Sequence, residues 1–190
     1  MIGRRQLLLL TLAFEGGLLV LAVGLGIFLA VPFWKDLGTM RDLGVGLVLC
    51  APLVLAVIIV AEKSSDRVSL LREDFTNVVR IFEGGTTLDL LIVSLLAGVC
   101  EEALFRGFLQ NWLAGWGIVP AVLITAVVFG FAHAISWQYF IFAALISIYL
   151  SGVYTYTGAL VAPIALHAAY DFALLVYGTR YWSARPAPAH

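Results

Sequence analysis

Apolar residues run almost without interruption along this chain, and the few polar breaks divide them into six segments: about 6 to 31, 43 to 61, 88 to 113, 118 to 136, 138 to 156 and 158 to 178. A helix needs roughly 20 apolar residues to cross the hydrocarbon core of a bilayer, so the pattern predicts six membrane-spanning helices. One stretch follows a different rule. Between the second and third spans, Val68, Leu71, Phe75, Val78, Val79 and Phe82 recur at helical spacing, with Arg72, Glu73, Asp74, Asn77 and Arg80 on the opposite face. That is an amphipathic helix, lying either along the inner membrane surface or against the ends of the other spans. Gly84 and Gly85 break it, and "TTLD" offers Thr86 or Thr87 as N-cap of the third span.

The expected fold is therefore all-α: a polytopic transmembrane helix bundle of about six spans plus an interfacial amphipathic helix. It divides into two N-terminal helices (1–61), a cytoplasmic amphipathic connector (62–87), a core of helices (88–178) and a frayed tail (179–190) ending in "ARPAPAH". The N-terminal apolar run is too long for a signal peptide and has no small-x-small cleavage site, so it reads as a retained first helix.

Composition agrees. Of 190 residues, 62% are hydrophobic and 12% charged, and the mean hydropathy is +1.02, which is more apolar surface than a soluble domain of this length buries. A net charge of -1 with no cation cluster gives no nucleic-acid partner. Cys50 and Cys100 lie in apolar helices without metal or disulfide spacing and read as small hydrophobes. Six spans put Arg4, Arg5, Lys63, Arg67, Arg72, Arg80, Arg180 and Arg185 on one side and only Lys35 and Arg41 on the other. Cations collect on the cytoplasmic side, which places both termini there, in a plasma or inner membrane. The aromatic residues sort the same way, with Trp34, Trp112, Trp116, Tyr154 and Tyr156 at one interface and Trp137, Tyr139, Tyr177, Tyr181 and Trp182 at the other.

Against this background, Glu101, Glu102, Arg106, His133, His167 and Asp171 lie deep inside spans. A charge at the bilayer centre costs at least ~2.5 kcal/mol on insertion scales, so such residues face a protein interior and serve function. Glu102 and Arg106 are four apart, on one helix face, and can pair. Glu101 is turned about 100° from Glu102 and can point elsewhere. One carboxylate is then structural and the other free. Phe129 stands one turn before His133, and His167 one turn before Asp171. The plain alternative is that the pairs pin helices and His133 is a satisfied core residue.

Three carboxylates against one arginine leave about -2 in a low dielectric, which calls for a proton, an imidazolium or a bound cation. A carboxylate beside histidines is a general-base arrangement. Glu101, His133 and His167 equally suffice as protein ligands for a divalent metal such as zinc, although the chain has no HExxH. Depth strains the grouping, since Glu101 comes out nearer the outer face and His133 nearer the inner one. Glu15 stands apart in "FEGGLLV", where Gly16 and Gly17 would let a neighbouring helix approach, as a packing contact or as a contributor to the cavity. Pro163 could kink the last span.

The three elements "EEALFR", "FGFAH" and "HAAYD", in this order, match EExxxR, FxxxH and His followed four residues later by Asn or Asp. In this the chain resembles the CAAX protease and bacteriocin-processing family, also called Abi or type II CAAX endopeptidase-like membrane proteins, over about 88 to 178. The resemblance implies an intramembrane endopeptidase in which Glu101, as general base, and His133 activate water. His167 and Asp171 would lie near the developing oxyanion, and Glu102, Arg106 and Phe129 would support the site. It implies a peptide or membrane-associated protein as substrate and the lipid bilayer as partner. No cofactor is certain, and metal-assisted and metal-free hydrolysis both stay open. Members often carry Asn where this chain has Asp171; an ionised Asp accepts but does not donate, so Asp171 either orients His167 or is protonated. Two further readings compete: a non-proteolytic scaffold or bacteriocin-type immunity protein that keeps the motifs for packing, and a proton relay or transporter, for which no two-fold repeat is visible.

Overall fold

In the computed structural model the described residues are 3–31, 37–62 and 69–182, and among them every regular element is helical. Trp34, Lys35, Lys63, Arg67, Val68 and Arg185, used above for orientation or for the amphipathic face, lie outside the described residues, as do residues 183–190 of the tail.

The order is α1 (Arg4–Phe28), α2 (Met40–Glu62), α3 (Ser69–Ile81), α4 (Thr87–Glu102), a π-helical segment (Ala103–Gln110), a single turn α5 (Asn111–Leu113), α6 (Ile118–Ala132), α7 (Trp137–Thr157) and α8 (Val161–Tyr177). All six apolar segments become helical. Among the described residues four helices are long and apolar enough to cross a membrane: α1, α2, α7, and α8 with its continuation to Trp182. By that measure six crossings are not confirmed, because α6 has 15 residues and α4 has 16 before it passes into the π segment.

Local chemistry starts and joins these helices. Thr86 caps α4, its hydroxyl accepting from the Asp89 backbone N–H, while the Asp89 carboxylate accepts from the Thr86 N–H and hydroxyl. The same carboxylate takes two hydrogen bonds from the Arg4 guanidinium, at 2.7 and 2.9 Å, tying the start of α1 to the start of α4. Pro163 falls in the first turn of α8, where no intrahelical donor is needed, so the kink expected from it does not arise there.

Helix α8 packs against α2, α4 and α7, and α6 against α7. Two glycines permit the closest approaches. A Cβ on Gly46 of α2 would come within 2.2 Å of the Ala162 carbonyl oxygen, and one on Gly98 of α4 within 2.9 Å of the Ala168 Cβ. Gly16 and Gly17 are different: a Cβ on either meets nothing within 4 Å, so the close packing expected there is absent.

Helix α3 turns its apolar face inward, placing Leu71, Phe75, Val78 and Val79 on a central cavity, with Val79 fully buried against Gly178. It packs against α7 and the Gly178–Trp182 turn. Two residues assigned to its polar face are turned in as well. Asp74 is buried and accepts from the Ser136 hydroxyl, and Arg72 lines the cavity with its guanidinium 5.4 Å from the Trp182 ring centre. The first tail residues are also ordered: Gly178–Trp182 forms a π-helical turn, from which Trp182 donates to Thr76 and Arg180 to the Gly85 carbonyl.

Candidate active site

Glu101 and Glu102 end α4, and their 100° offset sends them to different neighbours, as helical geometry requires. Glu102 is fully buried, and its Oε1 accepts from Arg106 Nη1 at 2.8 Å and from His167 Nδ1 at 2.7 Å. An ionised carboxylate can only accept, so the His167 proton in this bond sits on Nδ1. Arg106, also fully buried, lies in the π segment and uses Nη2 to reach the Ser147 carbonyl (2.9 Å) and hydroxyl (2.8 Å) on α7. The network therefore joins α4, the π segment, α7 and α8. π-Helical turns recur at functional sites, and this one begins directly after the two glutamates.

His133 is the C-cap of α6. Its Nδ1 lies 2.9 Å from the Phe129 carbonyl, which can only accept, so Nδ1 carries the hydrogen and Nε2 faces the site. There it meets Glu101 Oε2 at 3.4 Å. The contact is close, but its geometry is not that of a hydrogen bond, and Oε2 has no hydrogen-bond partner. The depth conflict resolves: His133 at the end of α6 and Glu101 near the end of α4 reach the same level, with Nε2 and Oε2 3.4 Å apart.

Phe129 sits among the charged groups. Its ring stacks on His133 at 4.2 Å and 20°, meets the His167 ring at 6.2 Å, and lies 5.0 Å from the Arg106 guanidinium carbon. On the far side of His167, Nε2 is 3.5 Å from Asp171 Oδ2. The sequence-derived residues Glu101, His133, His167 and Asp171 thus converge on the wall of one cavity of about 490 Å³, which Phe129 also lines, and Glu102 and Arg106 stand behind them.

Two contributors escaped sequence reasoning. Ser147 lies in an apolar span, where its four-residue spacing from Ser151 hints that one face of α7 is polar. The bond from His167 to Glu102 spans 65 residues, and no spacing rule reaches it. As for a metal, among the described residues no three His, Cys, Asp or Glu side chains are grouped to hold an ion. Of the proposed ligands, His167 has Nδ1 engaged by Glu102 and Nε2 turned to Asp171. The residues as arranged do not fit a ready metal site, and no step below runs through one.

Residues 83–173 match the family described as type II CAAX prenyl endopeptidase Rce1-like. This segment belongs to the Rce1-like family. The matched stretch runs from just before the α4 cap into α8 and contains all seven of these residues. An uncharacterized protein, YpbD of Bacillus subtilis (strain 168), is 34% identical over 92 residues, which is 48% of this chain and 47% of YpbD. The chain thus spans about half the length of the curated relative it matches. No solved structure matches it.

Proposed function

We propose that this chain is an intramembrane endopeptidase that hydrolyses a peptide bond with water activated by Glu101 and His133. One observation carries the reading: a carboxylate from α4 and an imidazole from α6 face each other at 3.4 Å on a cavity, each with an oxygen or nitrogen free of other hydrogen bonds. The Rce1-like family match supports peptidase chemistry.

In this mechanism a water donates one proton to Glu101 and the other hydrogen bond to His133 Nε2, leaving an oxygen lone pair free to attack. As its oxygen bonds to the scissile carbonyl carbon, Glu101 takes the first proton. The carbonyl oxygen becomes an oxyanion and accepts from His167 Nε2–H; the ring is held on one side by Glu102 and on the other by Asp171. The C–N bond then breaks, and Glu101 returns the proton to the leaving amine. One water is consumed, and one acid and one amine are formed. Asp171 Oδ2, 3.5 Å from His167 Nε2, orients the ring, a task that an acceptor suits.

The substrate class is a peptide or membrane-associated protein, the bilayer is the partner, and the cation distribution supports cytoplasmic termini in a plasma or inner membrane. The test is cleavage of a peptide library by purified, detergent-solubilised protein, with wild type, Glu101→Ala, His133→Ala and Arg106→Ala compared with and without a chelator. Loss of cleavage in folded Glu101 and His133 variants supports the reading. Absence of any cleavage by wild type transfers the case to a scaffold or immunity role.

A further inference from the structure

The hydrolysis above leaves one buried carboxylate without a task. Positions 7, 11 and 15 of α1, with 10 and 14 beside them, lie on the cavity at helical spacing, so Glu15 ends an otherwise largely apolar stripe. Glu15 is 7% exposed, and its Oε2 has no hydrogen-bond partner. Glu101, His133, His167 and Asp171 share its cavity. A Cβ on Gly16 or Gly17 meets nothing within 4 Å, so these glycines do not account for the burial of Glu15.

A carboxylate oxygen buried without a donor is costly. An extended peptide entering the same cavity brings a backbone N–H at each residue, and against a mostly apolar wall those donors are equally short of partners. Each need answers the other. We propose that Glu15 is a substrate-binding residue whose carboxylate accepts a backbone N–H of the peptide seated against Glu101 and His133, fixing which bond reaches the water. This rests on the peptidase reading above. It adds to the site a helix, α1, that lies outside the matched segment 83–173.

The experiment is a cycle between residue 15 and the substrate backbone. A peptide that wild type cleaves is taken from the library and N-methylated at one non-scissile bond at a time. Each version is assayed with wild type, Glu15→Gln and Glu15→Leu, with melting temperatures recorded. At one position N-methylation should lower wild-type kcat/KM about tenfold or more, the size of losing a hydrogen bond to a charged group. In Glu15→Leu the same change should cost about twofold or less, since the bond is already gone. If Glu15→Leu does not fold, Glu15→Gln serves, because its amide oxygen is a weaker acceptor and sensitivity at that position should fall at least about threefold. Equal sensitivity of wild type and variant at every position overturns the proposal while leaving the peptidase reading intact. If wild type cuts no library peptide, both fall together, a result that does not depend on residue 15.

Discussion

Glu102 Oε1 lies 2.7 Å from His167 Nδ1, joining α4 to α8 across 65 residues of sequence. The carboxylate that pairs with Arg106 also fixes the tautomer and direction of the histidine proposed to meet the oxyanion. Support and chemistry meet at one oxygen, and this separates the two glutamates experimentally.

Glu102→Ala leaves the Arg106 guanidinium, 0% exposed, without its counter-charge, and breaking a buried pair costs about 3–5 kcal/mol. Thermal denaturation in detergent should show a large loss of stability together with loss of activity. A Glu102→Ala protein that melts like wild type would show that the pair does not hold the bundle.

Ser147→Ala removes one of the two groups that accept from Arg106 Nη2 and leaves the other, the backbone carbonyl. The expected cost is about 1 kcal/mol, with activity reduced no further than the stability loss explains. The melting temperature and kcat, measured on the same preparation, check this.

Phe129→Leu keeps an apolar side chain but removes the ring stacked on His133. The expected result is a fall in kcat with little change in KM, because the substituted group orients a reacting residue and does not hold the peptide. Equal changes in both constants would place Phe129 in substrate binding instead.

Gly98→Ala and Gly16→Ala form a matched pair. At Gly98 the new Cβ lies 2.9 Å from the Ala168 Cβ and 3.0 Å from its backbone nitrogen, so α4 and α8 must part, at about 1–3 kcal/mol. At Gly16 the Cβ enters open space in mid-helix and should be neutral or slightly stabilising. Melting temperatures that fall equally would contradict this packing.

What the sequence reveals follows from the range of each physical rule. The Thr86 cap, the pairing of Glu102 with Arg106 and the nearness of Phe129 to His133 lie within one helix turn, and spacing predicts them. Hydropathy finds the apolar segments but measures only the tendency to leave water. It carries no information on contact partners, so it assigns Arg72 and Asp74 to a polar face although Trp182 and Ser136 draw them inward. The contact of Glu102 with His167 and the open space at Gly16 depend on how helices sit against one another, which residue spacing within a helix does not encode.

The most direct test of the central claim is kcat/KM for a library-selected peptide with Glu101→Gln, a substitution that keeps shape and removes the base, against wild type at equal melting temperature and in the presence of chelator. The account predicts a loss of about 10² to 10⁴-fold, the range for general-base catalysis, with wild-type activity surviving the chelator. Cleavage by folded Glu101→Gln within about twofold of wild type would contradict it.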